Sequence, residues 1–463
     1  MQPLASDQLF SDPRVKEAHR LVLQALAEHR QSLTAIRPPD PERAIPYEEL
    51  LRQFGEHRAG SLFFPYLGAG IGHGPLVELA DGSVKFDLIS GIGVHHFGHS
   101  HPALASAGLE AALRDTVMQG NLQQNVESAS LAGALLQRAQ PGTRLAHCFL
   151  STSGAMANEN ALKLAFHKRP GTARILAFEH AFAGRTLALA SITDKPAYRV
   201  GLPAVLDVDY LPFFDPYRPA ESIGQTLSAL RAHTARHPNQ HAALWCEFVL
   251  GEGGFHPGSA EFFTALCLEA RERNIAVVAD EVQTFGRTTR LFAFQHFGLE
   301  SLIDIVTVGK MLQVCATLFT PAMHPGTGLL SQTFTASTSA ILAAQVILRD
   351  LLTADLFGPH GRNMQVHAHF TRRFDAIARA HPDWLRGPYG LGAMIACTPF
   401  DGSEGQVRKL LHALFANGVI AFFNGENPAR LRFLPPVPVL TGAHIDTVCD
   451  ILETTLAQVA AGM

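Results

Sequence analysis

The chain has 463 residues, enough for about three domains of roughly 150 residues, or two if one is assembled from both chain ends. Hydrophobic residues make up 47% and charged ones 17%, which excludes an intrinsically disordered chain. The net charge is −4 with no long run of one sign, which excludes a nucleic-acid partner and a charge-held membrane partner.

At the start, Asp7 and Asp12 stand where a secretory signal needs a basic head and an apolar middle. No uncharged apolar run of about 18 residues follows, so the sequence predicts a soluble, cytoplasmic protein with no membrane span. Residues 15–30 carry apolar positions at helical spacing, residues 37–46 form a proline-rich link, and residues 68–98 are glycine-rich and hairpin-like. Within that stretch GAGIGHG (68–74) imitates a dinucleotide loop but follows no strand of a βαβ unit, so it reads as a turn. VHHFGHSHP (94–102) offers His95, His96, His99 and His101, but no Cys, Asp or Glu joins them, and no metal is expected. The six cysteines lie far apart in apolar surroundings, as reduced core thiols do.

From 101 to 340 the pattern becomes helix, short apolar strand, helix. Strands are expected at 146–150, 175–178, 243–249, 275–282 and 303–308, mostly as continuous apolar runs. Such runs belong to strands buried on both faces, so an α/β fold with a largely parallel, helix-covered sheet is expected, with ligands at the carboxyl ends of its strands. A helix at 341–352, an apolar stretch at 392–397, a helix at 405–417 and RLRFLPPVPVL (430–440) then make a smaller α/β unit. The expected domains are therefore 101–340, large, and a small one from 1–100 and 341–463.

Four strand ends carry chemistry. In STSGAMANENALKLA (151–165) a tight turn leads into a strong helix former, so free N–H groups and the helix dipole meet at Ser153, Gly154 and Ala155, an anion site. AFEHAFAGRT (177–186) places Phe182 in a loop after a strand, where it could stack on a planar ring. AVVADEVQ (276–283) delivers Asp280 at a strand end, where a carboxylate could keep a pyridine nitrogen protonated. IDIVTVGK (303–310) ends on Lys310, the one of seven lysines at a buried strand end, where desolvation would free the amine for Schiff-base chemistry.

With DEVQTFGRT (280–288) and IDIVTVGK together, the sequence from Gly68 onward resembles the class III, pyridoxal-phosphate-dependent aminotransferases of fold type I. The resemblance implies a mostly parallel seven-stranded sheet in the large domain and pyridoxal 5′-phosphate as cofactor, joined to Lys310 by a Schiff base and paired with Asp280 at the ring nitrogen. It places Val282 and Phe182 on the two ring faces, Gln283 at the ring hydroxyl, Glu247 beside the cofactor, and Ser153, Gly154 and Ala155 at the phosphate. Thr335 matches a threonine that reaches the phosphate of the neighbouring subunit, which implies a homodimer with shared sites.

Glu252 in EFVLGEGG matches an acid that pairs with a C-terminal arginine, here Arg432, in members that use 2-oxoglutarate. Arg185 would hold the substrate α-carboxylate in the L-lysine 6-aminotransferase branch, which GKMLQVC, ENALK and EGGFHPGSAEFF resemble. The expected reaction moves an amino group from a lysine, ornithine, acetylornithine or 4-aminobutyrate type donor to 2-oxoglutarate. A racemase, aminomutase or decarboxylase on the same cofactor is the alternative. Three positions depart from the family pattern: Ala183 replaces a histidine, Phe248 a proline, and Ala336 to Ser339 an aromatic, two glycines and an asparagine.

Overall fold

The structure is a computed structural model that describes residues 2–118 and 120–462. Its centre is a seven-stranded sheet in the order His147–Ser151, Cys315–Phe319, Ile305–Val308, Ala276–Glu281, His241–Cys246, Arg174–Phe178, Asp207–Leu211. Cys315–Phe319 runs antiparallel to both its neighbours, and the remaining pairings are parallel, so one strand opposes the other six. The central strands are buried along their whole length, as their unbroken apolar sequence requires. Helices Val126–Ala139, Gly154–Lys168, Pro219–Arg236, Ala260–Glu272 and Thr338–Thr353 accompany this sheet.

The chain ends meet in the smaller sheets. Gly68–His73, Leu76–Leu79 and Val84–Asp87 form an antiparallel meander, extended by Val419–Ile420, which pairs parallel with Val84–Asp87. An antiparallel sheet of Leu385–Leu391, Met394–Pro399, Arg430–Phe433 and Phe422–Asn424 lies beyond. Among the described residues no helix is long and apolar enough to cross a membrane.

Several expectations are corrected. GAGIGHG is no turn: Gly68–His73 is a strand paired with Leu76–Leu79, and a side chain at Gly72 would collide with the His99 Cβ and the Leu76 carbonyl. The run 243–249 breaks after Cys246, and Val249–Leu250 pairs separately with His256–Pro257. Two sheet strands, Asp207–Leu211 and Cys315–Phe319, went unrecognised in the sequence.

The histidine run divides among separate partners. His96 bonds Asp350 at 2.8 Å and His99 bonds Asp87 at 3.0 Å, while His101 caps helix Pro102–Ala111 and the His95 ring packs 4.9 Å from His99.

Candidate active site

At the carboxyl ends of the central strands lies a cavity of about 280 Å³. A larger surface hollow of about 1410 Å³ lies between the N-terminal helix and residues 112–116 and 122–125, but the nucleophile and the buried acids are at the smaller one.

Lys310 stands at the cavity wall. Strand Ile305–Val308 delivers it through Gly309, and a short turn, Lys310–Leu312, reverses the chain into Cys315–Phe319. Its backbone is left-handed, with φ 43°, a costly conformation held by the two flanking strands. Desolvation lowers its pKa to about 8, against the opposing pull of Glu252, Glu247 and Asp280.

Asp280 is the penultimate residue of strand Ala276–Glu281 and is almost wholly buried. Its Oδ2 accepts from Asn158 Nδ2 at 2.7 Å and from the Trp245 indole N–H at 3.3 Å, and its Oδ1 from the Val282 N–H at 3.1 Å. Burial raises its pKa although these donors favour the charged form. Glu247 is also buried, and its carboxylate accepts the N–H groups of Phe182 at 2.7 Å and Gly251 at 3.1 Å. Burial first, then Asp280, pushes its pKa up to about 8.

The anion end is built by helix Gly154–Lys168, whose start is capped by Ser153 accepting the Met156 N–H at 3.2 Å. Gly154 is needed for closeness, since a Cβ there would stand 2.7 Å from Val282 Cγ1. Across the cavity the loop Ala181–Gly184 is laced to Thr193, whose hydroxyl accepts the Ala183 N–H and donates to the Gly184 carbonyl. Arg185 is exposed and lies over the Tyr198 ring, 3.8 Å from its centre.

Glu252 lines the cavity and accepts from Arg432 Nη1 at 2.7 Å. Burial raises the Glu252 pKa, but Arg432, Lys310 and Lys195 outweigh it, so the net shift is downward. Arg432 is fully buried, and its Nε and Nη2 have no hydrogen-bond partner among the described residues.

Of the expected site residues, Gly154, Ala155, Phe182, Arg185, Glu247, Glu252, Asp280, Val282, Gln283 and Lys310 line this one cavity. Ser153, Thr335 and Arg432 do not: Ser153 caps the helix, Arg432 stands behind Glu252, and Thr335 is buried beside Gly120. Asn158, Ala183 and Gly184 line it as well and were not among the expected site residues, Ala183 having been noted only as a departure from the family pattern. Asn158 spans the two sides, donating to Asp280 and, at 2.6 Å, to the Ala183 carbonyl.

The donor and acceptor set fits pyridoxal 5′-phosphate. A buried carboxylate for the ring nitrogen, a phenylalanine and a valine for the ring faces, a lysine amine and a helix start for the phosphate all face one volume. Gln283 Oε1 is buried without a partner among the described residues, an acceptor left for a ring hydroxyl.

Residues 67–456 match the family described as aminotransferase class-III. The acetylornithine aminotransferase of Bacillus subtilis is 30% identical, over 82% of this chain and 92% of that protein. That of Methanocaldococcus jannaschii is 28% identical, over 84% and 93% respectively. The lysine aminotransferase of M. tuberculosis superposes with a TM-score of 0.77 at 24% identity, covering 91% of this chain and 100% of that one, and shares the fold. The chain belongs to the class-III aminotransferases and is a transaminase dependent on pyridoxal phosphate.

Proposed function

We propose that the protein moves the amino group of an ω-amine of the lysine, ornithine, acetylornithine or 4-aminobutyrate type to 2-oxoglutarate, in two half-reactions at the Lys310 cavity. The observation that carries this reading is the Glu252–Arg432 pair at the cavity wall. With Glu252 in place the arginine is neutralised and an uncharged or cationic donor chain is accommodated. With Glu252 turned aside, the free Nε and Nη2 of Arg432 can grip a carboxylate in a two-point contact.

Bound in the cavity, pyridoxal phosphate supplies an electron sink that acidifies the C–H bond at the amine-bearing carbon. Asp280 would face its ring nitrogen, Phe182 and Val282 its faces, Gln283 its hydroxyl, and Ser153, Gly154 and Ala155 its phosphate. Glu247 fixes Phe182 through the backbone N–H it accepts. Lys310, whose amine is readily neutral, would take the proton from the substrate carbon at Nζ and deliver it to the cofactor instead of to that same carbon, which is what separates amino transfer from racemisation. Arg185, exposed at the rim, orients the α-carboxylate of an amino-acid donor.

The functional unit is a homodimer in which Thr335 of the partner subunit completes the phosphate site. Leu122 and Val126, 84% and 77% exposed near the Gly120–Gln332 contact, supply apolar surface for that interface. The protein works in the cytoplasm.

The test is a half-reaction screen of the holoprotein with L-lysine, L-ornithine, N-acetylornithine, 4-aminobutyrate and glutamate, read by decay of the cofactor band. Conversion by at least one ω-amine and by glutamate is expected. Arg432→Ala is expected to lower kcat/KM for glutamate by roughly 10- to 100-fold, the worth of a charge-assisted bond pair. A holoprotein that no amine converts would overturn the reading.

A further inference from the structure

The loop that carries Glu252 is held by the C-terminal antiparallel sheet through three hydrogen bonds that straddle the glutamate. Asn424 Nδ2 donates to the Gly251 carbonyl at 2.7 Å, the Gly425 N–H to the Glu252 carbonyl at 2.9 Å, and Arg430 Nη1 to the Gly254 carbonyl at 2.6 Å. Asn424 and Arg430 face each other across the ladder of Phe422–Asn424 and Arg430–Phe433. Arg430 and Arg432 are two residues apart on one strand, so both side chains leave the same face. One grips the loop's backbone and the other its side chain.

Arg430 is held as firmly as what it holds. It is buried, its guanidinium carbon lies 3.5 Å from the centre of the Tyr389 ring, and its Nε has no partner among the described residues. A surface arginine would give up such a bond at little cost. A buried one that let go of Gly254 would be left with unpaired donors, so the contact persists.

We propose that Arg430 is a positioning residue that sets the balance between the two half-reactions, by keeping the Gly251–Gly254 backbone fixed so that exchange at Arg432 is a movement of the Glu252 side chain alone. This rests on the Glu252–Arg432 reading above. If the backbone is released, Glu252 no longer sits over Arg432 when the amine donor arrives, and the donor meets a bare guanidinium. A dicarboxylate, which needs Glu252 out of the way, is spared.

The experiment measures both half-reactions separately in holoprotein carrying Arg430→Leu, Arg430→Lys or Asn424→Ala, with the best ω-amine donor and with glutamate. Arg430→Leu is expected to lower kcat/KM for the amine about tenfold, chiefly through KM, with less than about threefold change for glutamate. Arg430→Lys, which keeps one donor for the Gly254 carbonyl, should recover part of the loss, and Asn424→Ala should shift the ratio in the same direction. If Arg430→Leu fails to fold, the other two variants carry the test. Equal losses on both sides, or no change in the ratio, would overturn the proposal. Arg432→Ala run in parallel separates the two readings: if it leaves glutamate conversion intact, the switch itself is wrong and the role of Arg430 falls with it.

Discussion

Burial makes Lys310 a usable nucleophile. With a pKa of about 8, roughly a tenth of its amines are neutral at pH 7, against roughly one in three thousand for an ordinary lysine. The folded pKa lies below the unfolded value, so the neutral form grows as pH rises through about 8 and is complete well below the usual lysine range. The rate at which apoprotein takes up pyridoxal phosphate should therefore climb with pH and level off above about 8. A rate still climbing at pH 10 would show that the amine is not desolvated, and Lys310→Ala should form no Schiff-base band with the cofactor. At this scale the sequence was informative where one residue ends an apolar run, as Lys310 and Asp280 do. It was silent on Asn158 and Trp245, because what gives them a role is a partner at Asp280, 122 and 35 positions away along the chain.

The elements that hold these residues depend on a few close approaches. Gly309 joins strand Ile305–Val308 to the lysine turn, and a Cβ there would lie 2.7 Å from Cys315 Sγ and 3.3 Å from Val282 Cγ1. Gly309→Ala should push the turn away from Cys315 and displace Val282, lowering cofactor affinity and costing on the order of 1–3 kcal/mol of stability, as overpacking does. Thermal melting with and without cofactor checks both, and an unchanged melt would show that the neighbours give way freely. Ala276–Glu281 and Ile305–Val308 were legible because a strand covered on both faces needs apolar side chains on both. Asp207–Leu211 was not, since its DVDYL alternates polar and apolar at the sheet edge, where one neighbour is missing. Cys315–Phe319 was hidden by its closeness to Lys310, from which only four residues separate it, so the run read as a continuation of the loop.

For the whole molecule, we propose the division into a large domain at 101–340 and a small one from both chain ends, in which Val419–Ile420 extends the N-terminal meander. The shared-site dimer has a direct check. Mixing Lys310→Ala protein with Thr335→Ala protein and allowing subunits to exchange should restore activity, to about a quarter of the unaltered level if exchange is random and each mixed dimer has one intact site. Activity no greater than the sum of the separate variants would show that each subunit works alone.

The reversed strand has the widest reach in the molecule. Cys315–Phe319 is the neighbour that joins His147–Ser151 to the rest of the large sheet, and Thr317 Oγ1 donates to the Ala157 carbonyl of the helix that opens at Gly154. The lysine and the phosphate cradle thus stand on opposite sides of one backbone seam. A cofactor bound to both would act as a rivet across that seam, and the amide protons of Cys315–Phe319 should gain more protection from solvent exchange on cofactor binding than those of any outer strand.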